Sequence, residues 1–324
     1  MFDMLFNPYY LQIFIFILIN CMLALSMYLP LSTGQLSLGA AGFMSIGAYT
    51  SALLTMKLGF PMPIGIVTGG LMAGFIGVLI GIPALRLSGV YLAICTLGFG
   101  EMVRVIFNNL EITNGALGLS GIPQLGQNLS KMLKEMGIQA KTLGLTSPQL
   151  SSLLTILVLL LLLVLVFLFI YRQGQSRVGR AFEAIRADES AAQAMGINIT
   201  YYKVLAFAQG AVLAGMAGAI FAHVTFFISP VDFDYHKAVD ILIFAVLGGS
   251  EVIWGPLLGA TLLTLLPEAL RFASDYRMMI FGTILVLMMI FRPQGFLDAN
   301  LLRALTSWRK PNQKTDGQSK EVSS

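Results

Sequence analysis

The chain has 324 residues, of which 56% are hydrophobic and 11% charged, with a net charge of +4 and a mean hydropathy of +0.81. A soluble globular domain carries roughly 25% charged residues, so the composition excludes that class and points to a polytopic membrane protein. Two histidines, His223 and His236, and two cysteines, Cys21 and Cys95, give no support for a metal centre or a disulfide framework.

The first segment, MFDMLFNPYY, lacks the basic leader and small-residue cleavage site of a removable signal, so the first span is expected to be retained. Hydropathy and helix breakers then place spans near 9–30, 37–57, 62–85, 89–108, 150–171, 203–224, 236–253, 256–273 and 277–293. That is an all-α transmembrane bundle of about nine spans, in a range of 8–10. The signal is strongest at 153–171, where 19 residues contain Thr155 as the sole non-aromatic polar member. About 20 apolar residues cross a ~30 Å hydrocarbon core. Segments 37–57 and 236–273 are rich in Gly, Ser and Thr, and Gly248-Gly249 and Gly255-Pro256 interrupt the second. Broken or re-entrant helices are expected there.

Small residues recur at helical spacing in three spans: Ser37, Ala41, Ser45, Ala48 and Ala52; Gly69, Ala73, Gly77 and Gly81; Gly210, Ala214, Gly218 and Ala222. Such stripes let helices approach closely in lipid. Tight packing is the ordinary reading of each residue, and faces that slide during gating are the functional one. Charges inside the spans are costly and therefore pointed. Glu101 and Arg104 are three apart, as are Glu268 and Arg271, and each pair can neutralise itself along a helix. Asp240 and His223 have no partner nearby in sequence. A satisfied interior histidine is a more ordinary reading of His223 than a ligand.

Residues 172–203, RQGQSRVGRAFEAIRADESAAQAMGINITYYK, form a compact charged stretch between two long apolar helices and must lie outside the lipid. Val178, Phe182, Ile185, Glu189 and Ala192 fall on one helical stripe, and Arg180, Glu183, Arg186 and Glu189 are linked in opposite-charge i,i+3 steps. This predicts a short amphipathic helix held at the membrane surface, with Gly196 as its stop. Basic residues are retained on the cytoplasmic side. With 172–203 inside, twelve Lys and Arg are cytoplasmic and seven lie outside, which places the N-terminus and the 109–149 loop outside and the C-terminus inside. The chain divides into a membrane domain over 1–300 and a polar, solvated tail over 301–324.

No phosphate-binding loop G-x-x-x-x-G-K-[ST], H-E-x-x-H or G-x-S-x-G occurs, and Gly98-Phe99-Gly100 lies in an apolar span rather than in a strand–turn–helix unit. The chain is therefore read as a non-enzyme whose energy source is another chain or an ion gradient. A secondary transporter would need an ion-coupling cluster, for which Asp240 and the two self-paired carboxylates are thin support. An intramembrane enzyme would need a nucleophile, metal or acid–base set.

The stretch Ser190-Ala191-Ala192-x-x-x-Gly196 is similar to the E-A-A-x-x-x-G signature in the cytoplasmic loop of ABC importer permeases, with Ser190 standing where the signature has Glu and the later I-x-L-P missing. Residues 176–198, S-R-x-G-R-A-x-x-A-I-R-x-D-E-x-A-A-x-x-x-G-I-N, resemble the LivM-type permeases of branched-chain amino acid importers. Further matches are GQLSLGAAGF at 34–43, GVYLAI at 89–94, TLGFGE at 96–101, GLSGIP at 118–123, GPLLGA at 255–260 and FRPQG at 291–295. Together they cover roughly residues 30–297. Urea and short-amide permeases share these motifs, so a urea or amide substrate stays open beside an amino acid.

The resemblance implies a five-component importer in a bacterial inner membrane: this permease, a homologous second permease, two ATPase chains that bind ATP-Mg, and a periplasmic binding protein. Apart from membrane lipid no other partner is implied, and no nucleic acid. The residues implied in coupling to the ATPase are Arg177, Gly179, Arg180, Glu183, Arg186, Asp188, Glu189, Ala191, Ala192 and Gly196. For the translocation path, Ser37, Gly39, the stretch from Tyr91 to Thr96, and Glu101 are expected to face the gap between the permeases. Small or hydroxyl-bearing residues at a broken helix leave room and hydrogen-bond partners for a zwitterionic amino acid.

Overall fold

The computed structural model describes residues 7–135 and 146–270, together with positions 279, 280, 282, 283 and 286. Twelve of the 17 residues of the expected span at 277–293, and all of the polar tail at 301–324, thus lie outside the described residues. The helices are α1 (Pro8–Leu31), α2 (Ala40–Lys57), α3 (Met62–Ala84), α4 (Val90–Asn109), α5 (Leu125–Glu135), α6 (Ser147–Gly174), α7 (Arg177–Ala187), α8 (Glu189–Ala194), α9 (Ile199–Thr225), α10 (Tyr235–Gly248) and α11 (Trp254–Ala269). Five of them (α1, α3, α4, α6 and α9) are long and apolar enough to cross a membrane, so the chain is a multi-pass helical membrane protein. At 14 and 16 residues, α10 and α11 are only about 21 and 24 Å long at 1.5 Å per residue. Both are shorter than the ~30 Å core, as the Gly-Gly and Gly-Pro interruptions suggest.

The breakers in the sequence fix the helix ends. Asn7 caps α1 through Tyr9 N, and Pro8 occupies its first turn, where a missing N–H costs nothing. At the far end Pro30 sits in the last turn, and the chain leaves the helix through Gly34 at φ +75°. Residues 32–39 then run without helical structure before α2 begins.

The three small-residue stripes meet in one seam. α9 packs most extensively on α3 and α2, and then on α1. A Cβ on Gly69 would lie 2.6 Å from Gly47 O, one on Gly77 would lie 2.6 Å from the Ala211 methyl, and one on Gly210 would lie 2.6 Å from Ser26 O. Backbones touch where larger residues would hold them apart, which is how helices gain dispersion energy in lipid. Around the seam stands a core of large side chains, including Met22, Leu23, Phe43, Met44, Tyr49 and Phe207. The outward faces of α3 (Leu71, Phe75, Leu79) and α6 (Leu157, Leu161, Leu165) are apolar and exposed, as lipid contact requires.

The described part of the 109–149 stretch carries more order than a loop. Leu119–Ser120 pairs antiparallel with Phe227–Ile228, with Leu119 opposite Ile228. Lys57 Nζ donates to Ile112 O (3.2 Å), and α5 lies along α6. The sequence did carry a cue for α5, since Leu125, Leu129 and Leu133 recur at i,i+4. His223 is fully buried, with Nε2 2.9 Å from Ser51 Oγ and Nδ1 2.9 Å from Pro123 O. A carbonyl only accepts, so Nδ1 carries the proton and Nε2 accepts from the Ser51 hydroxyl. His223 is the satisfied interior histidine of the ordinary reading, and it ties α9, α2 and the 118–123 turn together.

Candidate functional site

The surface stretch between α6 and α9 is built from three caps and one glycine contact. Ser176 Oγ accepts from Val178 N (3.1 Å) and starts α7. Asp188 interrupts the helix in an extended conformation, and its carboxylate accepts from Ser190 N (2.8 Å) and Ala191 N (3.0 Å) to start α8. Asn198 Oδ1 accepts from Tyr201 N (3.1 Å) and starts α9. Gly196, at φ +83°, ends α8. Gly179 packs on the end of α6, where a Cβ would overlap the Gly174 carbonyl and lie 2.6 Å from Gln173 O. The single helix expected from the periodicity is therefore two, α7 and α8. The reason is that a carboxylate at Asp188 satisfies two N–H groups as a cap and none in mid-helix.

Gly179, Ala181, Phe182, Ile185 and Ala192 are buried against the bundle, while Arg177, Arg180, Glu183, Arg186, Asp188, Glu189, Ala191 and Gly196 are exposed. Phe182 meets Tyr202 edge-on at 6.3 Å. Of the stripe named above, Phe182, Ile185 and Ala192 face the core and Glu189 faces outward.

The charge ladder takes a different form from the i,i+3 series. Among the described residues the ion pairs are Glu101–Arg104 (2.8 Å) and Glu189–Lys203 (2.6 Å). Arg186 reaches across to the turn between α10 and α11, donating to Ser250 O (3.1 Å) and Ser250 Oγ (3.3 Å). These partners lie 64 residues ahead of Arg186 and 14 beyond Glu189, and no local pattern marks them. Two cavities flank the helix pair. One of about 290 Å³ is lined by Tyr28, Tyr171, Gly179, Phe182, Glu183 and Glu251. The other, a polar cleft of about 570 Å³, is lined by Leu85, Glu189, Gln193, Asn198 and Lys203.

Of the expected path residues, the structure brings three together. Ser37, Gly39 and Thr96 are all buried where the 32–39 segment meets α4: Leu38 N donates to Thr96 Oγ1 (2.8 Å), Gly39 N donates to Ser37 Oγ (3.2 Å), and a Cβ on Gly39 would sit 3.5 Å from Thr96 Cβ. Tyr91 stands apart at the start of α4, 73% exposed among Val90 and Ile94. Glu101 is half-buried and paired with Arg104, as its spacing predicts. Glu268 accepts from the Tyr9 hydroxyl, and Arg271 lies outside the described residues. Asp240, read above as having no partner nearby in sequence, has Lys237 one turn before it on α10, and that reading is corrected: the i,i+3 spacing was present in the sequence.

The 172–203 stretch and the 109–125 stretch lie at opposite ends of the bundle. Gly34 abuts the Arg186 backbone and Arg186 donates to Ser250 at one end, while at the other Pro123 O accepts from His223, Ile122 N donates to Phe226 O, and Ile112 O accepts from Lys57. The 27 residues of α9, about 40 Å, separate the two.

The profile of the protein family described as "Branched-chain amino acid transport system / permease component" matches residues 9–289. Over 272 residues, 82% of this chain, the sequence is 41% identical to the high-affinity branched-chain amino acid transport system permease protein LivM of Escherichia coli (strain K12). It is 40% identical over the same length to LivM of Salmonella typhimurium. The aligned region spans 64% of the length of these two relatives. A shorter match, 31% identical over 125 residues (38% of this chain and 40% of the relative), is to the permease protein LivH of Escherichia coli (strain K12). No solved structure matches the chain.

Proposed function

Since the chain belongs to the branched-chain amino acid transport permease family, we propose that it is the membrane-spanning permease subunit of an ATP-driven importer of branched-chain or other hydrophobic amino acids. It sits in the bacterial inner membrane beside a homologous second permease. Two ATPase chains bind ATP-Mg on the cytoplasmic side, and a periplasmic binding protein delivers the substrate. The N-terminus is outside and the C-terminus cytoplasmic, following the bias of Lys and Arg toward the 172–203 end.

The observation that carries this reading is the α7–α8 pair. An apolar face (Phe182, Ile185, Ala192) holds the pair on the bundle, and a polar face (Arg177, Arg180, Glu183, Arg186) is left outward. The outward face is the seat for the ATPase. Closure of the ATPase dimer on ATP displaces the seat, and the two permeases rock between outward-open and inward-open states. This chain performs no bond chemistry. Its contribution is a rigid seam (α2, α3, α9) that moves as one body and a surface helix pair firmly joined to it. The 109–149 stretch at the other end receives the binding protein.

The test is reconstitution in liposomes of this chain with its second permease, the ATPase chains and the binding protein. ATP-dependent uptake of labelled leucine, isoleucine or valine is expected, with urea and acetamide as competitors. Failure of this chain to co-purify with an ATPase subunit overturns the importer reading, and uptake competed by urea rather than by leucine overturns the substrate.

A further inference from the structure

The non-helical segment 32–39 is held in series between the surface helices and α4. Its turn meets α7, where a Cβ built on Gly34 would lie 3.8 Å from Arg186 Cα. One side chain, Gln35, is 2% exposed, and its Nε2 donates both to Thr33 Oγ1 (2.8 Å) and to Lys203 O (3.1 Å). Lys203 is itself buried in the first turns of α9, with its Nζ 2.6 Å from Glu189 of α8. At the other end of the segment Leu38 N is bonded to Thr96 of α4. A continuous path of short contacts thus runs from Glu189 through Lys203 and Gln35 into 32–39, and from there to α4.

Two features set this path apart from ordinary packing. Lys203 is the buried member of the ion pair, with its side chain 10% exposed against 52% for Glu189. The pair therefore anchors a surface helix to the interior, unlike an ion pair between two solvated groups, which holds little. Second, Gln35 is a buried side chain whose single amide nitrogen bonds both its own segment, at Thr33 Oγ1, and the start of α9, at Lys203 O.

We propose that Lys203 and Gln35 are positioning residues that convert displacement of the α7–α8 pair into movement of the 32–39 segment and α4. The proposal rests on the reading of α7–α8 as the ATPase seat. In the absence of the Glu189–Lys203 tether, α8 shifts without drawing the start of α9. Without Gln35, α9 shifts without drawing 32–39. Either break leaves hydrolysis intact and disconnects it from transport.

The deciding quantity is the coupling ratio, substrate imported per ATP hydrolysed, in the reconstituted transporter. Lys203→Met keeps the volume of the buried stem and leaves only the solvated Glu189 unpaired, so assembly and ATP hydrolysis are expected to persist while the ratio falls at least tenfold. Gln35→Met, remote from the ATPase seat, is expected to give the same fall. The exchange Glu189→Lys with Lys203→Glu restores the ratio to within about threefold of the original, which assigns the effect to the ion pair and not to either side chain alone, while unchanged hydrolysis in the uncoupled variants separates the relay from a merely structural role. If Lys203→Met does not assemble, Gln35→Met decides. An unchanged ratio in the assembled variants overturns the relay while leaving the importer reading standing. Absence of ATP-driven uptake by the unaltered transporter overturns the importer reading, and the relay with it.

Discussion

Replacing Gly69 by alanine tests whether the α2–α3–α9 seam is held by backbone contact. The added methyl would stand 2.6 Å from Gly47 O, 3.3 Å from Gly47 C and 3.4 Å from the Ala219 methyl, and real Cβ atoms do not approach within 3.0 Å. The nearest atom is backbone inside a helix and cannot swing away. α3 must then retreat by at least about 0.4 Å, the difference between 2.6 and 3.0 Å, and by more to reach an ordinary contact. A radial gap of roughly 0.5–1 Å forfeits a quarter to a half of each dispersion contact along the interface. The loss recurs at Gly65, which meets Ser51 of α2, and at Gly70, Gly74 and Gly77, which meet Met216, Val212 and Ala211 of α9. Overpacking of this kind costs about 1–3 kcal/mol. Gly98→Ala is the control, because Gly98 lies in mid-helix of α4 and, apart from its chain neighbours and its own helix backbone, no described atom lies within 4 Å of its Cβ position. It registers the gain in helix propensity alone. Thermal unfolding of the full chain in detergent should place Gly69→Ala below Gly98→Ala by about 2–4 °C for each kcal/mol of the packing term. Equal midpoints for the two variants would refute the close-contact account of the seam.

His223→Ala leaves the Pro123 carbonyl and the Ser51 hydroxyl buried without partners, at about 1–3 kcal/mol for each, so a lowered unfolding midpoint is expected together with faster proteolysis in the 118–135 region; resistance equal to that of the unaltered chain counts against the tie between α9 and that turn. For topology, reporter fusions at about residue 135 and at about residue 175 should report opposite compartments, since α6 (Ser147–Gly174) crosses between them. Signals from the same compartment at both sites would remove the placement of the α7–α8 pair on the ATPase side.

The sequence alone determined where the long helices lie and, for α2, α3 and α9, which face is crowded. Span length and apolar content are local quantities, so 153–171 identifies the α6 span without any knowledge of its neighbours. The small-residue stripes are likewise visible as a period, and Gly69, Gly77 and Gly210 all meet backbone or methyl neighbours in the structure. The i,i+3 pair Glu101–Arg104 forms as spaced, because both residues share one helix face. The charged 172–203 segment and its motif were also legible, since they depend on residues close together in the chain.

Only the tertiary structure decided which partner each polar group takes. Glu189 is equally placed in sequence to pair with Arg186, three residues before it, yet Arg186 turns to Ser250 and Glu189 takes Lys203. Gln35 reads as one polar residue in a Gly-rich stretch, but it joins the start of α9 from 168 residues away. His223 offers no local partner and is satisfied by Ser51 and Pro123, 172 and 100 residues distant. A buried polar group must find some partner, and the chain's local pattern states only that requirement. For Gln35 and His223 the partner is settled by how α9 packs in the bundle, because that packing brings atoms 100 to 172 residues apart to 2.9–3.1 Å.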